Sequence, residues 1–201
     1  MRKNNRKEQL YREAFKLFLL NPFEAVSITD IENASGMTRG AITYYAKDKL
    51  GLFYSVVKYY LVDAQNLKQK LNKTKFESLK EFIDAYVSGC QETMNRFSDV
   101  HNSVQNASRA YLTLILQICR YFPDLHSQYL ENRNQEILIW IEMLQTAIKN
   151  NEIKSDIDIM STARNFMNIF YGQSYLDSLS VGLNTIELRI QLMNLYKLLR
   201  V

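Results

Sequence analysis

The scarcity of helix-breaking residues is the feature that most constrains how this chain can fold. Only two prolines, Pro22 and Pro123, and six glycines occur in 201 residues. A β-sandwich or barrel needs frequent turns, whereas long stretches without proline or glycine favour helices. Apolar residues make up 47% of the chain, enough for a sizeable core, and they recur at helical spacing. The sequence therefore predicts an all-α protein of about nine helices.

The first predicted helix covers about residues 5–20. Its apolar face carries Leu10, Ala14, Leu17 and Phe18 at helical spacing. The helix is expected to end before Pro22, because proline disfavours helical geometry in the residue that precedes it.

Two short helices should follow, over about residues 27–46. Ser27 and Asp30 form an S-x-x-D capping signal at the start of the first. Gly36 supplies the permissive backbone that a tight turn requires, and Thr38 then caps the second helix. Two short helices joined by a glycine turn and packed on a longer one form a helix-turn-helix. Periodicity alone leaves DNA binding and a purely structural role equally open.

The rest of the chain is predicted to be helical, with a short polar break at residues 73–75 as the strongest candidate for a boundary. The predicted helices cover about residues 49–71, 76–96, 104–120, 123–149, 158–181 and 185–199.

Charge is distributed unevenly along the chain. Residues 1–50 hold nine Lys and Arg against six Asp and Glu, whereas the remaining 151 residues have an excess of one basic residue. A basic end is consistent with a polyanionic partner, although a solvated tail explains it equally well.

The chain lacks the sequence signals of membrane insertion, export or catalysis. No apolar run approaches the roughly 20 residues that span a bilayer, and the N-terminus does not read as a signal peptide. Cys90 and Cys119 have no metal-binding spacing and are expected to be buried, reduced thiols. The two histidines, His101 and His126, lie in no catalytic motif. We therefore expect a cytoplasmic protein that is not an enzyme, with no membrane association, metal or cofactor.

The first quarter of the chain resembles the DNA-binding domain of TetR/AcrR-family transcriptional regulators. Helix 1 follows the family's I/L-L-x-x-A-x-x-L-F trend from Leu10 to Phe18. Residues 23–31, FEAVSITDI, are similar to the family's YEATSVRDI. Residues 34–45, ASGMTRGAITYY, are similar to its AAGVSKGTLYYH. The resemblance implies a three-helix DNA-binding domain over residues 1–50, joined by helix 4 to a helical effector-binding and dimerisation domain over residues 51–201.

Three positions depart from the family pattern. Pro22 replaces the usual glycine, Ala46 replaces a core aromatic residue, and Leu50-Gly51 replaces an acidic pair. The missing aromatic at Ala46 keeps a second hypothesis open, namely a helical small-molecule-binding or protein-interaction module that has lost contact with DNA.

The resemblance also assigns expected DNA contacts. Arg39 is the side chain of the recognition helix able to bind guanine O6 and N7 together, although a phosphate contact is as good an assignment. Tyr44 and Lys49 are expected at phosphates, and Arg2, Lys3, Arg6 and Lys7 form either an auxiliary arm or a solvated tail. The full predicted DNA-binding set is Ser27, Thr29, Thr38, Arg39, Gly40, Ala41, Thr43, Tyr44, Tyr45 and Lys49.

The remaining candidate residues belong to the second domain that the resemblance implies. Aromatic and methionine side chains of its middle helices are candidates for an effector pocket, although core packing explains each of them as well. The pocket candidates are Phe82, Tyr86, Met94, Tyr111, Trp140, Met143 and Tyr171. The candidates for a dimer interface on the last two helices are Phe166, Phe170, Ile186, Ile190 and Met193.

Together these expectations describe a homodimeric, sequence-specific regulator that acts as a repressor. It would bind a palindromic operator in double-stranded DNA. A small apolar or aromatic effector with few charges would release it, because no charged cluster is evident among the pocket candidates.

Overall fold

The chain is all-helical in a computed structural model that describes residues 2–63, 76–100 and 104–201. Nine α-helices lie within these ranges, which confirms the predicted fold class. Helices α1 to α4 are Arg2–Leu20, Ile28–Ser35, Arg39–Tyr45 and Lys49–Val57. Helices α5 to α9 are Leu79–Val100, Val104–Tyr121, Pro123–Lys149, Ile159–Ser178 and Thr185–Leu199.

Helix α4 does not run on as a regular α-helix. After Val57 the backbone continues as a π-helical segment over Lys58–Asp63, where Lys58 Nζ donates to Asp63 Oδ1 at 2.9 Å and to Gln128 Oε1 at 2.8 Å. The rest of the helix predicted over residues 49–71 and the polar break at residues 73–75 lie outside the described residues. A short 3₁₀ turn, Phe23–Ala25, separates α1 from α2.

The chain divides into two compact units. The first consists of Met1–Asn66 and Ala110–Leu130, and the second of Leu67–Arg109 and Glu131–Val201. These units are defined by packing, whereas the predicted boundary at residue 50 concerns functional domains and stays a prediction.

The core of the first unit is rich in phenylalanine. Phe53 of α4 is fully buried, lies edge-on to Phe18 of α1 at 4.8 Å between ring centroids, and stacks on Phe122 at 5.2 Å. Aromatic pairs at such distances add stability beyond the area they bury. Ala46, where an aromatic residue was expected by the resemblance, is also buried. The helix-turn-helix thus rests on a packed aromatic core although Ala46 is small.

The second unit is built around Trp140 of α7, which is fully buried. Its ring stacks on Phe166 of α8 at 4.7 Å and meets Phe82 of α5 edge-on at 4.7 Å. Helix α9 packs along α5 through Leu188 and Leu192, both fully buried.

Glu152 closes one end of the second unit. Its carboxylate accepts hydrogen bonds from the backbone N–H of Leu79 and Lys80, at 2.9 and 3.3 Å, and from Tyr196 Oη at 2.8 Å. Since the first N–H groups of a helix lack intrahelical acceptors, Glu152 caps α5 from a distant part of the chain. The preceding Asn151 has a positive φ of 54°.

The thiols are less buried than expected. Cys90 is half-buried and Cys119 is exposed on α6, so the prediction of two buried cysteines is wrong for Cys119. Helical periodicity could not show this, because α6 presents one face to the first unit's core and Cys119 falls on the other. None of the described helices combines the length and apolar character that crossing a membrane requires.

Candidate nucleic-acid interface

Helix α2, which precedes the predicted recognition helix α3, begins at a complete capping box. Ser27 Oγ accepts the backbone N–H of Asp30 at 3.1 Å, and Asp30 Oδ2 accepts the backbone N–H of Ser27 at 2.8 Å and its hydroxyl at 2.6 Å. These hydrogen bonds from Ser27 hold the pKa of Asp30 below its usual value. Thr29, in the first turn, is exposed. Capping therefore accounts for Ser27, and the DNA contacts of Ser27 and Thr29 stay predictions.

The turn between α2 and α3 is held from both sides. Gly36 ends α2 with a left-handed backbone, φ 66° and ψ 23°, and its N–H donates to Glu32 O. Ser35 Oγ donates to Ile31 O at 2.6 Å, and Gln9 Nε2 of α1 donates to Ser35 O at 3.1 Å. The predicted glycine turn is therefore confirmed, and α1 fixes its position.

Helix α3 presents an open face to solvent. Thr38 caps it by accepting the Ala41 N–H at 3.4 Å, and Thr43 Oγ1 donates to Arg39 O at 2.9 Å. Tyr44 is 66% exposed and lies edge-on to the half-buried Tyr45, whereas Ile42 anchors the opposite face in the core. The structure thus brings the predicted residues Thr38, Arg39, Gly40, Ala41, Thr43, Tyr44 and Tyr45 together on one short helix.

Two residues of α3 have no evident role inside the molecule. Arg39 is exposed, and its guanidinium takes part in no hydrogen bond or ion pair within the described parts of the chain. A Cβ added to Gly40 would meet no atom within 4 Å, and the backbone there does not need glycine. Glycine in a helix costs about 0.5–1 kcal/mol relative to alanine. An external partner that approaches the backbone closely would account for it.

Lys49, at the start of α4, points inward to backbone carbonyls. Its Nζ donates to Phe23 O at 2.9 Å and to Val26 O at 2.7 Å, and it lies 4.3 Å from the centroid of the Phe23 ring. An ammonium group has three N–H donors, so one remains after these two bonds. The sequence identified Lys49 as a functional candidate but did not reveal this clamp on the turn before α2.

The same turn is also bound by α6, through residues that the sequence did not single out. Gln117 Oε1 accepts the Phe23 N–H at 2.9 Å, and the Tyr121 hydroxyl donates to the Glu24 carboxylate. Gln117 lies 94 residues from Phe23, and no local pattern pairs them. The segment that leads into the helix-turn-helix is therefore fixed by α4 and α6 together.

Six of the seven pocket candidates lie in the second unit, and five of them are core residues. Tyr111 belongs to the first unit. The five buried side chains are Phe82, Tyr86, Met94, Trp140 and Met143. Tyr171 is half-buried, and Met94 Sδ accepts the Ser108 hydroxyl at 3.3 Å.

A buried carboxylate lies beside two of the pocket candidates, although none of the candidates themselves is charged. Glu136 of α7 is only 8% exposed, and its carboxylate accepts the hydroxyls of Tyr86 and Tyr171, each at 2.7 Å. Burial raises the pKa of Glu136, while hydrogen bonds from Tyr171 and Tyr86 and the charge of Arg133 lower it. Burial and the Glu136 carboxylate raise the pKa of Tyr86. Sequence reasoning missed Glu136 because charged residues are common on helices, and only the packed structure shows which of them turns inward.

The dimer-interface candidates divide between core and surface. Phe166 is fully buried against Trp140 within the chain, which favours a core role for it. Phe170 is half-buried beside Tyr86, and Met193 is half-buried on α9. Ile186 is 75% exposed and Ile190 is also exposed. Their place in a dimer stays a prediction.

Comparison with known proteins bears on the whole arrangement. Residues 10–56 match the family described as bacterial regulatory proteins, tetR family. A TetR-family transcriptional regulator from Cytophaga hutchinsonii has 14% identity and a TM-score of 0.70, over 100% of this chain and 98% of that one. Another from Agrobacterium tumefaciens has 14% identity and a TM-score of 0.69, over 98% and 99%. E. coli NemR in its reduced form has 14% identity and a TM-score of 0.68, over 98% of each chain. No curated protein matches the chain in sequence.

The capped α2 and α3, joined by a glycine turn and with α3 exposed, have the arrangement of a helix-turn-helix motif. Residues 10–56 are thus similar to the DNA-binding part of the tetR family, and the fold is shared with solved structures described as TetR-family regulators over nearly the whole chain.

Proposed function

We propose that this protein is a homodimeric repressor that acts in the cytoplasm on a palindromic operator and leaves it when a small-molecule effector binds. The observation that carries the DNA-binding part is the exposed face of α3, where Arg39 and Gly40 have no partner or packing role among the described residues. Ser27, Thr29, Thr38, Ala41, Thr43, Tyr44, Tyr45 and Lys49 complete the proposed contact set. In this set Arg39 reads a base edge, and Lys49 offers its third N–H to a phosphate.

The arrangement of α2 and α3 supports major-groove binding. A recognition helix places its N-terminal residues against base edges while the first helix crosses the backbone. Here both helices have side-chain caps, and the turn between them is held by Gln9, so the exposed face is presented rigidly. Two copies related by a two-fold axis read half-sites one helical turn or a multiple of it apart, which predicts a palindrome.

The deciding experiment is selection of bound fragments from genomic DNA with the purified full-length protein. We expect one or a few sequences to be enriched, each with two inverted half-sites. A reporter controlled by that sequence should fall in expression when the protein is supplied. Failure to enrich any sequence would instead favour the alternative that this helical module has lost DNA contact.

Salt dependence separates base contacts from phosphate contacts. Each neutralised phosphate contributes about −0.9 to the slope of log K against log salt. If Arg39 binds a guanine, Arg39→Ala relaxes sequence preference at one position of each half-site. If Arg39 binds a phosphate, the slope becomes shallower by about 2 per dimer and sequence preference is retained. Gly40→Ala, which the monomer tolerates sterically, should weaken operator binding without loss of helicity; unchanged binding by both variants would remove α3 from the interface.

The exposed apolar side chains of α8 and α9 support a homodimer. Within the second unit these helices expose a group of large apolar residues that a monomer has no reason to leave in water. The group consists of Tyr175, Leu176, Ile186, Ile190 and Leu198. Obligate dimers bury such faces against a second copy. Gly172, on the same side of α8 as Leu176, is also exposed and has no atom within 4 Å of an added Cβ.

Light scattering on purified variants tests the dimer. The double substitution Ile186→Glu and Ile190→Glu should give a monomer of about half the wild-type mass, because it introduces charges into an apolar interface. Leu116→Glu, at an apolar side chain that is 70% exposed on α6, is the matched control and should stay dimeric. A dimer that survives the double substitution would exclude this face.

A further inference from the structure

A carboxylate lies among aromatic rings in the interior of the second unit. Glu136 accepts one tyrosine hydroxyl on each oxygen, from Tyr86 and from Tyr171. The Tyr86 ring in turn meets Trp140 at 5.2 Å and Phe170 at 5.6 Å between centroids. Two neutral hydrogen bonds do not neutralise a buried carboxylate, so a cation that can approach it is stabilised.

A cation from the chain itself already lies against one of these two tyrosines. Arg133, one turn before Glu136 on α7, places its guanidinium carbon 4.5 Å from the centroid of the Tyr171 ring. Its Nε is buried and has no hydrogen-bond partner among the described residues. The Tyr171 ring therefore attracts the guanidinium, but no acceptor takes the hydrogen bond that Nε could donate to hold it in place.

The other end of the same helix face also carries an unused donor. Trp140, one turn after Glu136, is fully buried, and its Nε1 has no hydrogen-bond partner within the described residues. A buried donor without an acceptor destabilises the folded state. Positions 133, 136 and 140 lie on one side of α7, so the carboxylate has an incompletely bonded polar group on either side of it.

We propose that Glu136, Tyr171 and Trp140 form the effector site, that the site takes an organic cation attached to an aromatic ring, and that Arg133 occupies the cation position until the ligand displaces it. This inference rests on the proposed function, since it names the effector class of the same regulator. The Tyr171 face that Arg133 now covers takes the ligand's positive charge, and the Glu136 carboxylate supplies the counter-charge. An aromatic anion would need Arg133 as its partner instead, so the two ligand classes give opposite results when Arg133 is removed.

The test titrates the full-length protein with three probes and follows the fluorescence of Trp140, the chain's one tryptophan. The probes are benzyltrimethylammonium, its uncharged isostere neopentylbenzene, and phenylacetate. Wild type should bind benzyltrimethylammonium at least tenfold more tightly than either of the others. Glu136→Gln should lose at least tenfold of that affinity. Arg133→Met should gain severalfold, because it empties the cation position while it retains a long side chain.

Several results would overturn the proposal. They are tighter binding of phenylacetate, unchanged affinity in Glu136→Gln, or weaker binding of the cation by Arg133→Met. The Arg133→Met variant, whose side chain is only half-buried, carries the test if Glu136→Gln fails to fold. Operator binding is measured on the same preparations. If wild type binds the operator but does not prefer benzyltrimethylammonium, only the ligand class is rejected. If wild type does not bind an operator, the proposed regulator is rejected.

Discussion

Replacement of Lys49 by methionine should destabilise the first unit by about 2–3 kcal/mol. Two hydrogen bonds from the ammonium group to Phe23 O and Val26 O would be lost. Bonds from a charged donor contribute about 1.5–3 kcal/mol when buried, and we take about 1 kcal/mol each because this site is half-buried and water can replace part of the loss. The contact with the Phe23 ring, at 4.3 Å, adds about 0.5–1 kcal/mol.

Urea unfolding and amide hydrogen exchange together measure this loss. For a chain of this length the melting temperature should fall by about 5–10 °C. Exchange should accelerate in α1 to α4 and leave α8 and α9 protected, since the clamp lies wholly within the first unit. Lys47→Met is the matched control, because Lys47 is exposed two residues away, has no hydrogen bond or ion pair among the described residues, and carries the same charge.

A loss below about 0.5 kcal/mol in Lys49→Met, or an equal loss in the Lys47 control, would refute this reasoning. It would mean that the ammonium group is solvated and does not clamp the turn. Such a result would leave Lys49 fully available for a phosphate.

Three further predictions concern stability. Gly36→Ala should lower the free energy of unfolding in urea by about 1 kcal/mol, because alanine is strained in the left-handed backbone although its Cβ would meet no atom. An unchanged free energy of unfolding would show that the turn relaxes. Glu152→Ala should lower the free energy of unfolding by about 2 kcal/mol or more, because it leaves the start of α5 uncapped. Tyr196→Phe removes one of the three bonds to Glu152 and should lower it less. Equal losses in the two variants would contradict this. Folding raises the pKa of Glu136, so between the pKa of the unfolded chain and that of the folded chain the folded state binds more protons than the unfolded state. The free energy of unfolding of wild type therefore falls as the pH rises from the lower to the higher of these two values. Glu136→Gln should therefore gain stability relative to wild type from about pH 4 upward, and a difference that is constant with pH would contradict the charged, buried state.

Local signals in the sequence predicted the helices and most of their starts. Ser27, Thr38 and Pro123 begin helices where the pattern placed them, because a cap or a proline acts through neighbouring residues. The last helix, predicted over residues 185–199, has these bounds in the structure. The first helix begins three residues earlier than predicted, since a polar, charged segment gives no periodic signal there.

The contacts between residues distant in sequence could not be predicted in the same way. Glu136 meets Tyr86 across 50 residues and Tyr171 across 35, and Lys49 meets Phe23 across 26. These contacts depend on which helix faces meet, and one sequence does not contain that information in its local spacing. Phe166 illustrates a second limit: an apolar stripe predicts burial, but it does not distinguish burial in the core from burial against a partner.

The basic excess of the first 50 residues is less available to DNA than its count indicates. Lys49 is bound to carbonyl oxygens, and Arg12 and Lys16 share the carboxylate of Glu13. Between residues 27 and 48, Arg39 and Lys47 are the cations that have no hydrogen bond or ion pair among the described residues. If α3 binds an operator half-site as proposed, these two charges give one protomer little counterion release there. When a second DNA-binding unit is linked to the first in a dimer, its binding to the other half-site is intramolecular and occurs at a high effective concentration. If the protein is the proposed homodimer, its operator affinity should therefore depend on dimerisation through α8 and α9 more than on the charge of either DNA-binding unit. An effector that alters the separation of the two DNA-binding units would then release both.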